Sequence, residues 1–219
     1  MPSIYLVRHG ITPANLENRF VGRTGERLHA KGIEQMRQVG ERLHDENIAA
    51  IYCGPAKRTL QSAEIIGSLL NIQVFSLAEF DEIKIPHWDG LTKDEIRQQY
   101  GAQYPTWLST PQSFNQPGCE TLAQVQKRAV GAMNRILAGV QRQNLLLVSH
   151  LIVLRCLVLY FLELEIKEFR SIKINNGAIL KVSGLGKGRV SVSFFGNKNV
   201  DYLEARPAED TNTAGVFRA

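Results

Sequence analysis

The sequence predicts an α/β fold, and three observations predict it. Short apolar runs recur along the 219 residues, the segments between them carry apolar residues at helical spacing, and no internal repeat breaks the alternation. The first run, Ile4 to Arg8, reads as a strand. A helix follows, with Ile33, Met36, Val39 and Leu43 on one stripe. Ala49 to Cys53 is the second strand, and Leu60, Ala63, Ile66 and Leu70 stripe the next helix. Ile72 to Phe75 is the third strand. Beyond it, Pro86 to Gly118 holds Pro105, Pro111 and Pro117 with the aromatics Trp88, Tyr100, Tyr104, Trp107 and Phe114. It shows little helical pattern outside a short helix near Lys93 to Tyr100, and reads as an insertion of about residues 86–118 over the active edge, suited to selecting the organic part of a substrate. Thr121 begins another helix through a capping box with Gln124. Leu145 to Ser149 is the fourth strand, and a core helix runs from about Ile152 to Leu162, its apolar sequence interrupted by Arg155. Ala178 to Ser183 and Val190 to Phe195 read as a hairpin about a glycine-rich turn.

Length and composition favour one domain over residues 1–203, with a polar, mobile tail at 204–219. The cysteines Cys53, Cys119 and Cys156 are too far apart for paired zinc-ligand spacing and odd in number, and read as buried thiols of a reducing cytoplasm. Met1-Pro2-Ser3 leads directly into the first strand, so no export signal is expected, and the most apolar segment, Leu151 to Leu164, is too short for a bilayer, which needs about 20 apolar residues. Twenty-six basic against twenty-one acidic residues suit an anionic ligand. The basic residues are dispersed, with no Lys/Arg block or aromatic-interleaved stripe, which argues against nucleic acid. The expected partner is a small phosphomonoester, with neither nucleic acid nor membrane. A homodimer is neither marked nor excluded.

The chemistry-bearing residues stand at strand ends. Arg8-His9-Gly10 closes the first strand, with Thr12 and Asn15 beyond, and His150 follows the strand ending in Val148-Ser149. In a parallel sheet both histidines emerge at one carboxyl edge. Arg58 lies where the second strand turns into its helix, so its guanidinium and the helix's positive end face that edge as well. Forked donors on Arg8 and Arg58 match phosphate oxygens, and His9 supplies a nucleophile. A leaving alkoxide needs a proton donor. Glu79, Asp81 and Glu82 are the nearby carboxyl groups, and composition does not choose among them.

Arg8-His9-Gly10-Ile11-Thr12, Asn15 to Phe20 with Gly22, Lys57-Arg58-Thr59, Glu82 six residues before Trp88, and Val148-Ser149-His150 together resemble the histidine phosphatase superfamily, which holds the cofactor-dependent phosphoglycerate mutases and their phosphatase relatives. The resemblance implies a three-layer α/β/α sandwich with a mostly parallel central sheet. It implies His9 as the phosphorylated nucleophile, Glu82 as acid then base, and Arg8, Arg58 and His150 as the phosphate cradle. Thr12, Asn15, Arg19, Gly22, Leu151 and Glu120 are implied as further phosphate or substrate contacts. Leu151 stands where the family often has glycine, Arg19-Phe20-Val21-Gly22 lacks a glutamine common in the phosphatases, and Gly118-Cys119-Glu120 keeps one glutamate of a Gly-Gly-Glu element. Neither metal nor dissociable cofactor is implied for the phosphatase branch. The stretch from Glu82 to His150 is shorter than in the mutases and lacks their arginine-rich lid, so hydrolysis is expected. The alternatives are a cofactor-dependent phosphoglycerate mutase and, of another class, a catalytically silent phosphate-binding regulatory protein.

Overall fold

The computed structural model describes residues 2–140, 143–185 and 190–195, and the backbone of 202–204. Strands β1 (Ile4–Arg8), β2 (Ile48–Cys53), β3 (Val74–Ser76) and β4 (Asn144–Ser149) pair in parallel. Strands β5 (Ile179–Ser183), β6 (Ser191–Phe194) and β7 (Tyr202–Glu204) add antiparallel pairings at the β1 side. The sheet order is β3-β2-β4-β1-β5-β6-β7. This is the α/β sheet that the alternating pattern predicts.

Alternation along the two central strands sends successive side chains to opposite faces. Ile4 and Leu6 of β1, with Leu145 and Leu147 of β4, pack with helices α6 (Leu122–Gly139) and α7 (Leu151–Phe161). Tyr5, Val7, Leu146 and Val148 join the stripes of α2 (Ala30–Leu43) and α3 (Lys57–Leu70) in a separate core. Two cores on two faces make three layers. Eight residues of α7 are buried, which accounts for its nearly continuous apolar sequence: it packs against both the sheet and α6. No helix among the described residues is long and apolar enough to cross a membrane.

Several elements differ from the sequence reading. The third strand begins at Val74, because the Ile72 amide closes the end of α3 on the Gly67 carbonyl and Asn71 takes a left-handed conformation. Two helices escaped the pattern: α1 (Pro13–Leu16), one turn capped by Thr12, and α5 (Gln103–Ser109). Pro105 disguised α5, yet it lies in the first turn, where its missing N–H loses no helical bond. The expected helix α4 spans Lys93–Tyr100, and the Thr121–Gln124 capping box forms at the start of α6. Glu204, assigned to the tail, pairs with Ser191 through β7. The rest of that tail, 205–219, and most of the glycine-rich turn lie outside the described residues. Cys53 and Cys156 are buried as expected, but Cys119 is only partly so, on a surface turn beside His87.

Candidate active site

β1 and β4 run side by side with Arg8 opposite Ser149, so the residues that follow them leave the sheet together. The His9 amide donates to the Ser149 carbonyl at 3.0 Å, and the His9 and His150 ring centroids lie 5.2 Å apart. Gly10 permits this turn by close approach: a Cβ there would collide with the Gly32 carbonyl at the start of α2.

His9 is buried with Nδ1 2.8 Å from the Gly10 carbonyl oxygen. A carbonyl only accepts, so the ring proton sits on Nδ1 and Nε2 keeps its lone pair. Burial first, then Arg58 and Arg8, hold the His9 pKa well below the usual imidazole value, against the pull of the Gly10 carbonyl. Arg58 is 1% exposed and donates to the Gly22 carbonyl at 2.6 Å and to His150 Nδ1 at 3.1 Å. A guanidinium has no lone pair to offer, so the proton of neutral His150 is on Nε2. That buried Nε2–H has no hydrogen-bond acceptor, with Asp81 Oδ1 at 3.7 Å. Burial, then Arg58 and His9, also depress the His150 pKa strongly.

Both imidazoles are therefore withheld from protonation in the folded state. Their neutral forms contribute stability that is complete above about pH 6.5, the unfolded value, and is lost as pH falls through the depressed folded values. Urea unfolding between pH 6.5 and 5 should show stability falling by up to about 1.4 kcal/mol per pH unit for each histidine. In His9→Asn the slope should fall by the share of one histidine, up to about 1.4 kcal/mol per pH unit.

Glu82 is buried at the same site, with Oε1 accepting from the Ile83 amide at 2.9 Å. Burial raises its pKa, and the Ile83 amide, Arg58, Arg8 and Arg128 only partly oppose it, so it keeps a proton above the usual carboxyl range. Its backbone carbonyl is fixed by Arg23 Nε at 2.9 Å and Arg128 Nη2 at 3.1 Å. Arg8 is anchored through Nη1 to the Ile174 carbonyl at 2.8 Å, while its buried Nε–H has no acceptor.

Arg8, His9, Arg58 and Glu82 line a cavity of about 400 Å³. Asn15, Arg19 and Leu151 line it too. Asn15 Oδ1 accepts from the Thr12 amide and from Asn176 Nδ2, leaving its Nδ2 donors for the cavity. Arg19 stands at the rim, paired with Glu17 and Glu95. Four expected site residues are not in the wall: His150, fully buried with its Nδ1 on Arg58, and the contacts Thr12, Gly22 and Glu120. The Thr12 hydroxyl caps α1, accepting from the Asn15 amide. Gly22 gives its carbonyl to Arg58 and its amide to Asp89, whose carboxylate leaves no room for a side chain there. Glu120 binds Arg128, Arg23 and the Lys84 amide; burial acts to raise its pKa, but these donors together hold it below the usual value. It braces the Glu82 segment.

Of the aromatics in residues 86–118, Tyr104 and Trp107 reach the cavity, with Lys93, Ile96 and Leu108. Trp88 and Phe114 are core, with Trp88 set against Phe20, Tyr104, Trp107 and Phe114. Sequence reasoning missed Asn176, Arg155 and Arg170 in the wall, and Arg23 and Arg128 behind Glu82. Only Arg155 left a trace, as a charge inside an apolar helix.

Comparison with known proteins identifies the family. Phosphoserine phosphatase 1 of Hydrogenobacter thermophilus is 26% identical over 178 residues, 81% of this chain and 84% of its own length. A probable phosphoglycerate mutase, GpmB, of Salmonella typhi is 33% identical over 189 residues, covering 83% and 85% of the two chains. The solved structure of Bacillus stearothermophilus YhfR superposes with a TM-score of 0.81 at 28% identity, over 85% of this chain and 93% of that one. The sequence profile of the histidine phosphatase superfamily (branch 1) matches residues 4–196, and the chain belongs to that superfamily and is an enzyme of it.

Proposed function

We propose that the protein hydrolyses small phosphomonoesters through a phosphohistidine at His9. The observation that carries this reading is geometric: His9, with Nδ1 on the Gly10 carbonyl and Nε2 left free, and the buried Glu82 carboxyl line one cavity with Arg8 and Arg58, where burial shifts His9 toward its neutral form and Glu82 toward its protonated form. A binder of phosphate needs neither.

In the first step the Nε2 lone pair of His9 attacks phosphorus in line, forming the N–P bond as the ester P–O bond breaks. The Glu82 proton passes to the departing oxygen. In the second step water attacks phosphorus, the N–P bond breaks, and Glu82, now a carboxylate, takes the water proton. Inorganic phosphate leaves with His9 neutral and Glu82 protonated again. Arg8, Arg58 and the Nε2–H of His150 offset the charge on the equatorial oxygens throughout. Thr12, Gly22 and Glu120 act by position, holding Asn15, Arg58 and Glu82. Residues 86–118, with Tyr104 and Trp107, contact the organic part of the ester.

The 33% identity to a probable phosphoglycerate mutase favours a second reading, in which the phosphoryl group returns to another hydroxyl. One assay separates the two: phosphate release from a panel of metabolite monoesters without a bisphosphoglycerate primer, with and without chelator. Multiple-turnover release unaffected by chelator is expected. Isomer exchange that depends on the primer, with negligible release, would overturn hydrolysis.

A further inference from the structure

The cavity carries more positive charge than a phosphoryl group uses. Its wall holds Arg8, Arg19, Arg58, Lys93, Arg155 and Arg170, against Glu82 as the single acidic side chain. Arg8 and Arg58 belong to the phosphoryl site, and Arg19 is neutralised by Glu17 and Glu95. Arg155 and Arg170 have no carboxylate at ion-pair distance among the described residues.

Their placement is built rather than incidental. Arg155 is the one charged residue of α7, a helix in which eight apolar side chains are buried. Its Nε donates to the Ile172 carbonyl at 2.6 Å, and its guanidinium lies 5.0 Å over the Phe169 ring. Arg170 lies 5.4 Å over Trp107 and 6.0 Å from the same Phe169 ring. It donates through Nη2 to the Trp107 carbonyl, and its buried Nε–H has no acceptor. Burial, then Arg170 and Arg8, press the Arg155 pKa down to about 10, the mark of a desolvated cation facing like charges.

The geometry points to a second anion subsite, formed by Arg155 and Arg170 in a cavity that Lys93 also lines, that recognises a carboxylate or phosphate on the organic part of the substrate. It rests on the reading above only for the position of the phosphoryl group. Leu151, the first residue of α7, and Arg155 both line the cavity four residues apart, roughly 6 Å of helix rise, so the phosphoryl site and the proposed subsite would open at adjoining levels of one wall. A short phosphorylated acid suits that arrangement. An anion there relieves the repulsion among Arg155, Arg170 and Arg8, and the forked Nη groups of Arg155 suit it better than a point charge does.

Three probes test this: 3-phosphoglycerate, glycerol 3-phosphate, which replaces the carboxylate by a neutral alcohol, and 1,3-propanediol bisphosphate. The parent enzyme should favour one of the anionic probes over glycerol 3-phosphate by at least about tenfold in kcat/KM, mostly through KM, as expected for uniform binding. Whichever is preferred identifies the second anion as carboxylate or phosphate. In Arg155→Met and Arg170→Met that ratio should fall toward one, and Arg155→Lys, which keeps the charge with less disturbance of the helix, should fall between. Calorimetric binding of the same probes to His9→Ala reads the subsite without turnover. Absence of phosphate release together with preserved anion preference in binding would sink hydrolysis and leave the subsite standing. A ratio near one in the parent, or one unmoved by all three variants, would overturn the subsite.

Discussion

His9→Ala is expected to lower kcat for phosphomonoester hydrolysis by on the order of 10⁴-fold or more, because losing a covalent nucleophile removes the route rather than one of its supports. The ring is held by its Nδ1–H to Gly10 and set 5.2 Å from His150, so no neighbouring side chain replaces it. Rapid quench into alkaline denaturant with labelled substrate should trap an acid-labile, base-stable phosphoryl group on the parent chain and none on the variant. The fold should persist, since the substitution removes a buried polar ring and leaves the hydrogen bond from the His9 backbone amide to the Ser149 carbonyl in place. Parental rates in His9→Ala, or label recovered elsewhere, would end the assignment.

Arg58→Ala should cost about 10² to 10³ in kcat, the range for losing one preorganised donor to a developing oxyanion. The effect has two parts. The guanidinium itself is lost from the phosphoryl site, and His150 loses the donor that fixes its tautomer at 3.1 Å. Arg58 is also the largest cause, after burial, of the low pKa values of both histidines, so its removal lets them rise. The nucleophile must be neutral, and the acid limb of kcat/KM should therefore move to higher pH. Arg58→Lys should restore that limb while recovering little of kcat, because an ammonium lacks the fork. An unmoved limb in Arg58→Ala would show that the arginine does not set the imidazole charge state.

The parts of this protein that sequence revealed are those where one strong local signal had no competitor. β1 and β4 end abruptly in polar residues, and that placed His9 and His150 on a common edge without coordinates. Arg58 could be placed because the turn from β2 into α3 is short. Glu82 was different: it lies among Glu79 and Asp81 in a segment with no helical or strand period, so residue chemistry alone did not separate the three, and the family resemblance did. Its burial and its clamps, Arg23 and Arg128, come from elements 59 and 46 residues away in sequence. The reach of Tyr104 and Trp107 into the cavity depends on α5, which Pro105 concealed. Arg155 was visible only as an interruption, and the subsite proposed for it draws on Arg170 and on the lack of an ion-paired carboxylate among the described residues.

The pairing of Arg8 with Ser149 has a consequence for folding fidelity. Sliding β4 by a single residue against β1 would displace its end by about 3.3 Å and exchange the residues it offers to the two cores. The same slip would carry His150 out of reach of His9. Misaligned molecules are thus penalised twice, in burial and in turnover, so the specific activity of a purified sample doubles as a gauge of how many chains zipped up in the correct frame.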